Sequence, residues 1–385
     1  MILSVVKLDF NKIPKQILQV ENEMVSVTKL LDSVPIVFDY DRYKADGNGG
    51  ISAKIDTKLE SLSQLTATSK SILSKKVDVL TGIVPWQNYN AEGKLQIQQL
   101  ISTIDRQRKT LNSIEKLGSN SKKDFDGKWL LFGKHDSFSS LSGRLSASNP
   151  ATMSLPKVIM PYTEYVRSLP LYKVDIHDAE MRILAGISGD KQLIDIFSSG
   201  GDLYSVGAEC LFHEIDLEKK LQRSLTKKAI ISTVYGRSFK KVADELKAEA
   251  PALTLNSITE FYQWLHETFH QAFRFLKKVE SDNFLWMLNK RTRIASSEYS
   301  PQQRRVLPVQ GSMALALKLF MIEIHSYVPI TLVECQHDAV YISAESSELN
   351  LGAVMIYQLA KALYKMPFTV PYTEDNLISI EKMGE

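Results

Sequence analysis

At 385 residues the chain can bury several packed subdomains, while a formal net charge of +3 is too small to mark the whole surface as a binder of polyanions. Two isolated cysteines, Cys210 and Cys335, exclude a disulfide framework and a cysteine-rich metal site, and read as buried, inert thiols in a reducing compartment. No run reaches the length of a membrane span and the N-terminus carries no signal-peptide pattern, so a soluble, cytoplasmic protein without membrane contact is expected.

Ser33 to Tyr43 mixes apolar and acidic residues around Pro35 and reads as a strand or extended segment. Asp46-Gly47-Asn48-Gly49-Gly50 is a turn. Ile51 to Thr81 and Ala91 to Leu117 carry helical spacing, the second through Leu95, Ile97, Leu100, Ile101 and Ile104. A break follows at Gly118-Ser119-Asn120-Ser121-Lys122-Lys123. The pair suits a helical hairpin with solvated lysines, and equally a docking surface for another subunit.

Leu171-Tyr172-Lys173-Val174-Asp175-Ile176 reads as a short apolar strand ending in an acid, with an amphipathic helix starting near Asp178. An acid at a strand end, beside the Ile176 carbonyl, can offer hard oxygen ligands to Mg²⁺. Arg223, Lys227 and Tyr235 recur at four- and eight-residue steps, so a helix places them roughly along one face. Such a stripe can hold triphosphate oxygens at one end and stack on a base at the other, and it also fits a solvated basic helix. Gly236 suits the helix stop. Ile330 to Ser343 is two β-rich runs around a polar break, a hairpin with Asp338 at its tip. If the two acidic strands are neighbours, Asp175 and Asp338 can share two ions about 3.5–4 Å apart. Singly, each acid reads as a cap or turn residue, Glu334 as a pairing or solvent-facing strand residue, and His177 as exposed-strand filler. Order and spacing are what tie the segments together.

Taken as an ordered set, these segments resemble the motifs of family A DNA polymerases, the class of bacterial DNA polymerase I. Asp175 through Ala185, followed by Gly189-Asp190, looks like motif A; Arg223 through Gly236 resembles motif B; Gln336-His337-Asp338 resembles motif C. Gly143-Arg144-Leu145-Ser146 resembles the segment before motif A that touches primer–template, and Pro308-Val309-Gln310-Gly311 the block before motif C whose glutamine contacts DNA. The likeness runs from about residue 140 to the C-terminus.

The resemblance implies roles. Asp175, Asp338 and the Ile176 carbonyl would hold two Mg²⁺ ions, with Mn²⁺ as a substitute. Arg223 and Lys227 would bind the triphosphate, Tyr235 would sit at the templating position, and Glu180 would block a 2′-hydroxyl. Arg144, Gln310, Gly236, His337 and Arg182 would face nucleic acid. Four departures touch substrate grip: Ile231 stands where an aromatic residue is usual, Tyr204 where a histidine is usual, and Ala339 where a glutamate commonly follows. Met153-Ser154-Leu155-Pro156 lacks the usual Gln-Asn before its proline. They imply catalysis with altered sugar selectivity, lower processivity or tolerance of ribonucleotides. A basic track is expected from Arg144, Lys227, Lys228, Lys240, Lys241, Lys290, Arg291, Arg293, Arg304 and Arg305.

The expected architecture is an α/β (α+β) right hand. Residues 1–125 supply the N-terminal region and a reduced helical thumb, 126–205 and 301–385 the palm with its antiparallel sheet, and 206–300 helical fingers. No proofreading exonuclease fits ahead of the motifs. A compact core of this kind resembles replication modules of bacterial mobile elements, such as staphylococcal cassettes, plasmids or phages. Its expected partners are primer–template or single-stranded DNA, dNTP or rNTP, a helicase and a small accessory subunit. Three functions follow: a template-directed DNA polymerase, a primase-like polymerase, or a non-catalytic polymerase-like subunit.

Overall fold

The computed structural model describes residues 15–66, 68, 70–75, 86–117, 121–124, 126–137, 140, 142–165, 169–213, 215–282, 299–336, 338–345 and 350–383. The chain divides into two compact units. One comprises Met1–Leu31, His135–Ser146 and Arg167–Glu385; the other comprises Asp32–Lys134 and Ala147–Val166.

The second unit holds strands β1 (Ile36–Phe38), β2 (Lys122–Lys123) and β3 (Trp129–Leu131). Strands β4 (Lys134–Asp136) and β5 (Ser146–Ser148) lie where the chain passes between units, and β6 (Thr163–Tyr165) completes an antiparallel sheet of order β2-β3-β1-β6. The extended segment expected over Ser33 to Tyr43 is short. Asp39 ends it by accepting a hydrogen bond from the Arg42 N–H (3.0 Å), which starts a helix at Tyr40–Ala45. Helices Ile51–Thr66 and Ala91–Leu117 pack together with Leu59, Leu62, Ile97 and Ile104 buried. The first stops well before Thr81, and a separate helix follows at Lys70–Lys75. Three hydroxyls explain the break: Ser63 donates to the Thr68 carbonyl, Thr66 to Leu62 and Thr68 to Thr66, offering the backbone alternatives to the helix. Residues 76–81 and 118–120 of the expected helix and break lie outside the described residues.

The first unit is built on strands β7 (Leu171–Ile176), β8 (Ile330–Gln336), β9 (Ala339–Ala344) and β10 (Ile378–Met383). They form an antiparallel sheet of order β10-β7-β9-β8, in which Asp175 lies opposite Ala339 and Val174 opposite Val340. All six β9 residues are buried, as a strand covered on both faces requires. On β7, Leu171, Tyr172, Val174 and Ile176 are buried while Lys173 and Asp175 reach solvent. Helix Pro301–His325 packs on the sheet, its start fixed by a capping box between Ser300 and Gln303. Contrary to the sequence expectation, this helix is long and apolar enough to cross a bilayer. However, 89% of its apolar window is buried inside the protein, which marks a core helix.

Ion pairs to buried charges tie this core, the Lys361 and Lys365 side chains themselves being partly exposed. Glu323 takes Lys361 and Lys365, and Lys318 pairs with Glu21. Glu334 is neither solvent-facing nor aimed at the acids. It is buried on β8, 3.1 Å from His135 Nε2, and accepts the Cys335 N–H at 2.8 Å. Cys335 is buried as expected, but Cys210 is only partly so. Between Leu203 and Ser281 the described chain is helical, in five segments. The expected Asn289-Lys290-Arg291-Thr292-Arg293 turn lies outside the described residues.

Helix Ala179–Ser188 passes close to the segment leading into β10. A Cβ on Gly186 would come within 2.3 Å of the Thr369 carbonyl oxygen and 2.8 Å of the Phe368 ring. Gly186→Ala should therefore destabilise the protein by about 1–3 kcal/mol, read from urea unfolding followed by circular dichroism. An unchanged midpoint would show that the 368–369 backbone moves aside freely.

Candidate active site

A cavity of about 610 Å³ opens at the ends of β7 and β9, lined by Asp175, Ile176 and His177 at the end of β7 and by Asp338 ahead of β9. The sheet register brings the two acids to neighbouring backbone positions, and both line the one cavity. Asp175 pairs with Ala339, and the Ile176 N–H donates to the Asp338 carbonyl at 3.4 Å. Two cations already face these carboxylates: Lys173 Nζ is 3.5 Å from Asp175, and Arg144 Nη2 is 4.0 Å from Asp338.

Past the strand, Asp178 adopts a left-handed backbone (φ 51°) and turns the chain into helix Ala179–Ser188. Burial raises the Asp178 carboxyl above its usual range, against the pull of Lys227 and Arg223. Glu180, in the first helical turn, accepts from Arg144 Nη2 at 2.8 Å. Arg182 is not a nucleic-acid contact. It is 1% exposed, and its guanidinium donates to the carbonyls of His177 (2.9 Å), Pro371 (3.0 Å) and Asn376 (2.9 Å), clamping the turn before its helix.

Helix Lys219–Val234 supplies the opposite wall. Arg223 and Lys227 of the expected stripe line the cavity, together with Ile231, while Tyr235, its third member, is not among the lining residues. Arg223 forms a two-pronged pair with Asp202 (Nε–Oδ2 2.6 Å, Nη2–Oδ1 3.1 Å). Asp202 in turn caps helix Leu203–Leu211, accepting from the Tyr204 N–H (3.1 Å) and the Ser205 hydroxyl (2.6 Å). The Tyr204 ring lies 5.2 Å from both the Arg223 guanidinium and the Lys227 ammonium, and so supports the two cations together. Its phenol is buried and pushed well up, by burial first and then by Asp178 and Glu180.

Tyr235 closes the helix, and Gly236 follows at φ +76°, a left-handed position that favours glycine. The Tyr235 hydroxyl is buried beside Glu180 and Gln310 without an aligned hydrogen bond to either. Burial and the Glu180 charge push it well up. Gly236 also accepts from Gln302, at 3.3 Å. His337 lies outside the described residues. Arg304 and Arg305, assigned to a basic track, are instead turned inward: Arg304 bonds the Tyr299 and Glu280 carbonyls, and Arg305 bonds Val234 and the Glu280 carboxylate.

Asp178, Asp202, Asn376 and Lys173 were not singled out from sequence. Asp202 carried a usable signal, an acid immediately before a helix start, which predicts a cap. Among the described residues no three His, Cys, Asp or Glu side chains converge to hold a metal unaided. The cavity nevertheless suits divalent cations. It carries five carboxylates (Asp175, Asp178, Glu180, Asp202 and Asp338) against Arg223 and Lys227, and Mg²⁺ typically needs only one or two carboxylates once substrate phosphates add theirs.

An antiparallel sheet with two acids at the mouth of a cavity, faced by a helix bearing Arg223 and Lys227, is the arrangement that the resemblance to polymerases implies. A family model described as DNA polymerase family A matches residues 51–378, and the chain belongs to that family. It is 25% identical over 257 residues to DNA polymerase I of Chloroflexus aurantiacus, covering 60% of this chain and 27% of that protein. It is 26% identical over 251 residues to the thermostable DNA polymerase I of Thermus thermophilus, covering 60% and 30%. The chain thus spans less than a third of the length of these relatives. The POL domain of Pol1 from M. smegmatis, in complex with DNA primer-template and dNTP, superposes with a TM-score of 0.69 at 17% identity, over 95% of this chain and 69% of that one.

The Asp202–Arg223 pair generates a pH prediction. Burial works to raise the Asp202 carboxyl, but hydrogen bonds from Arg223 and Ser205 and the Arg223 charge outweigh it and hold the carboxyl low. A folded pKa below the unfolded one stabilises above the unfolded value, and that stability is lost as pH falls through the folded value. The gap in urea midpoint between wild type and Asp202→Asn should therefore be widest near neutrality and close on acidification. A gap independent of pH would mean that the Asp202 charge does not contribute.

Proposed function

We propose that this chain is a template-directed DNA polymerase that extends a primer by two-metal nucleotidyl transfer. The observation that carries this reading is one cavity in which Asp175 on β7 and Asp338, in the turn just ahead of the adjacent β9, face Arg223 and Lys227. Asp175, Asp338 and the Ile176 carbonyl would hold Mg²⁺, with Mn²⁺ as a substitute; such ions activate a primer 3′-hydroxyl and neutralise the leaving pyrophosphate. Arg223 exchanges Asp202 for triphosphate oxygens, and Lys227 binds beside it, both backed by the Tyr204 ring. Glu180, anchored by Arg144, stands against the 2′ side of the sugar, and Tyr235 marks the templating position. Arg144, Gln310 and Gly236 contact primer–template. In this reading 126–205 and 301–385 act as palm, 206–300 as fingers and 1–125 as a reduced thumb.

Asp338→Ala should lower dNTP incorporation on a primed template with Mg²⁺ by at least about two orders of magnitude, with the fold intact by circular dichroism. Retained activity would remove Asp338 from the site. The same assay without a primer separates the polymerase reading from a primase-like one. Silence in every lane, wild type included, favours a non-catalytic subunit.

Ile231 supports a looser sugar pocket, since an aliphatic side chain shapes less of it than a ring. Ribonucleotides should therefore be incorporated measurably, and Ile231→Phe should sharpen the preference for dNTP on the order of tenfold. A strong, unchanged dNTP preference in both proteins would count against this role.

A further inference from the structure

The roles assigned above include none for Lys173, the cation beside Asp175. Lys173 precedes Asp175 by two residues on β7, so both side chains leave the sheet on the same face. Lys173 Nζ sits 3.5 Å from Asp175 Oδ1, the side chains 31% and 41% exposed, so water and ions reach the pair. Opposite Lys173 stand Tyr341 on β9 and the exposed Glu381 on β10. Asp175 and Glu381 both bear on this row: the Tyr341 phenol, opposite Lys173, is pushed up to about 12 by burial, then by Asp175, Glu334 and Glu381.

Arg144 is held differently. Its Nη2 is committed to Glu180 at 2.8 Å and stands 4.0 Å from Asp338. Lys173 has Asp175 as its one ion-pair partner among the described residues, and a flexible stem to move on.

We propose that Lys173 is an internal counter-ion of the metal site. It neutralises Asp175 while the site is empty, and yields that carboxylate by turning to Glu381 when a divalent cation arrives. Resting on the reading of Asp175 as a metal ligand, the inference gives Lys173 a positioning role rather than a catalytic one. An ammonium beside a ligand carboxylate both occupies its lone pairs and repels the incoming ion. At this separation and exposure the penalty corresponds to roughly threefold to thirtyfold weaker binding. The site then holds ions poorly until a nucleoside triphosphate adds its own oxygens, so metal loading is coupled to substrate arrival.

The test is Mn²⁺ binding to the full chain without nucleotide, read by electron paramagnetic resonance of free Mn²⁺ with Mg²⁺ in competition. Wild type, Lys173→Met, Lys173→Arg, Asp175→Asn and the Lys173→Met/Asp175→Asn double variant are compared, with folding checked by circular dichroism. Lys173→Met should tighten the site roughly threefold to thirtyfold. Lys173→Arg should keep wild-type affinity, and Asp175→Asn should abolish the site in both backgrounds. If Asp175→Asn leaves Mn²⁺ binding unchanged, the ligand reading falls and the inference with it. If Asp175→Asn removes binding while Lys173→Met changes affinity by less than about twofold, the counter-ion role alone is overturned. Tightening by Lys173→Arg as well would show that charge is not the cause, and would also overturn it.

Discussion

Everything in the candidate site depends on the pairing of β7 with β9. Antiparallel register sets Asp175 opposite Ala339, and the Ile176 N–H donates to the Asp338 carbonyl, so the two acids come to the mouth of one cavity. Like charges that share a cavity are unfavourable unless cations sit nearby. The folded chain supplies them locally, Lys173 beside Asp175 and Arg144 beside Asp338. The ends of these two central strands concentrate negative charge, and neighbouring side chains of the same fold offset it.

The opposite wall is organised by the same principle with the signs reversed. Arg223 and Lys227 would repel one another on a bare helix face. Here they share the Tyr204 ring, and Arg223 is neutralised by Asp202. Asp202 serves two structures at once, capping a helix and holding the guanidinium that the triphosphate would claim. In the proposed role, phosphate oxygens would replace its carboxylate on the guanidinium, so substrate binding would exchange partners rather than expose an unpaired Arg223. Tyr235 is the contrasting case. Its buried hydroxyl has no aligned partner although Glu180 and Gln310 lie beside it, so a small shift of either could complete the bond.

Much of this was legible in the chain itself. The strand ending in Asp175, the hairpin carrying Asp338 and the helix from Arg223 to Tyr235 follow from apolar periodicity and turn residues, and the structure has all three. What misled was the reading of charges by type alone. Arg182, Arg304 and Arg305 look like surface cations in sequence, yet each spends its guanidinium on buried carbonyls or a carboxylate. Glu334 reads in sequence as a pairing or solvent-facing strand acid, and the structure selects the first, with a buried partner, His135, 199 residues away that strand periodicity does not name. Helix Ile51–Thr66 ended early because hydroxyls captured its carbonyls, an effect that apolar spacing does not register.

The sequence by itself determined the local elements, the order of the motif segments and the side chains offered for chemistry, because these depend on near-neighbour periodicity and on residue type. Only the tertiary structure decided which charges are available to a substrate and which are consumed. That outcome turns on partners brought together from distant segments: Arg144 to Glu180, Arg223 to Asp202, and Arg182 to Pro371 and Asn376. Lys173 shows the division at its narrowest. Its place two residues from Asp175 is plain in the chain, but only the β7–β10 register sets Glu381 opposite it. The physical reason is that a charge's role depends on distance and burial, and both belong to the packed sheet rather than to the strand alone.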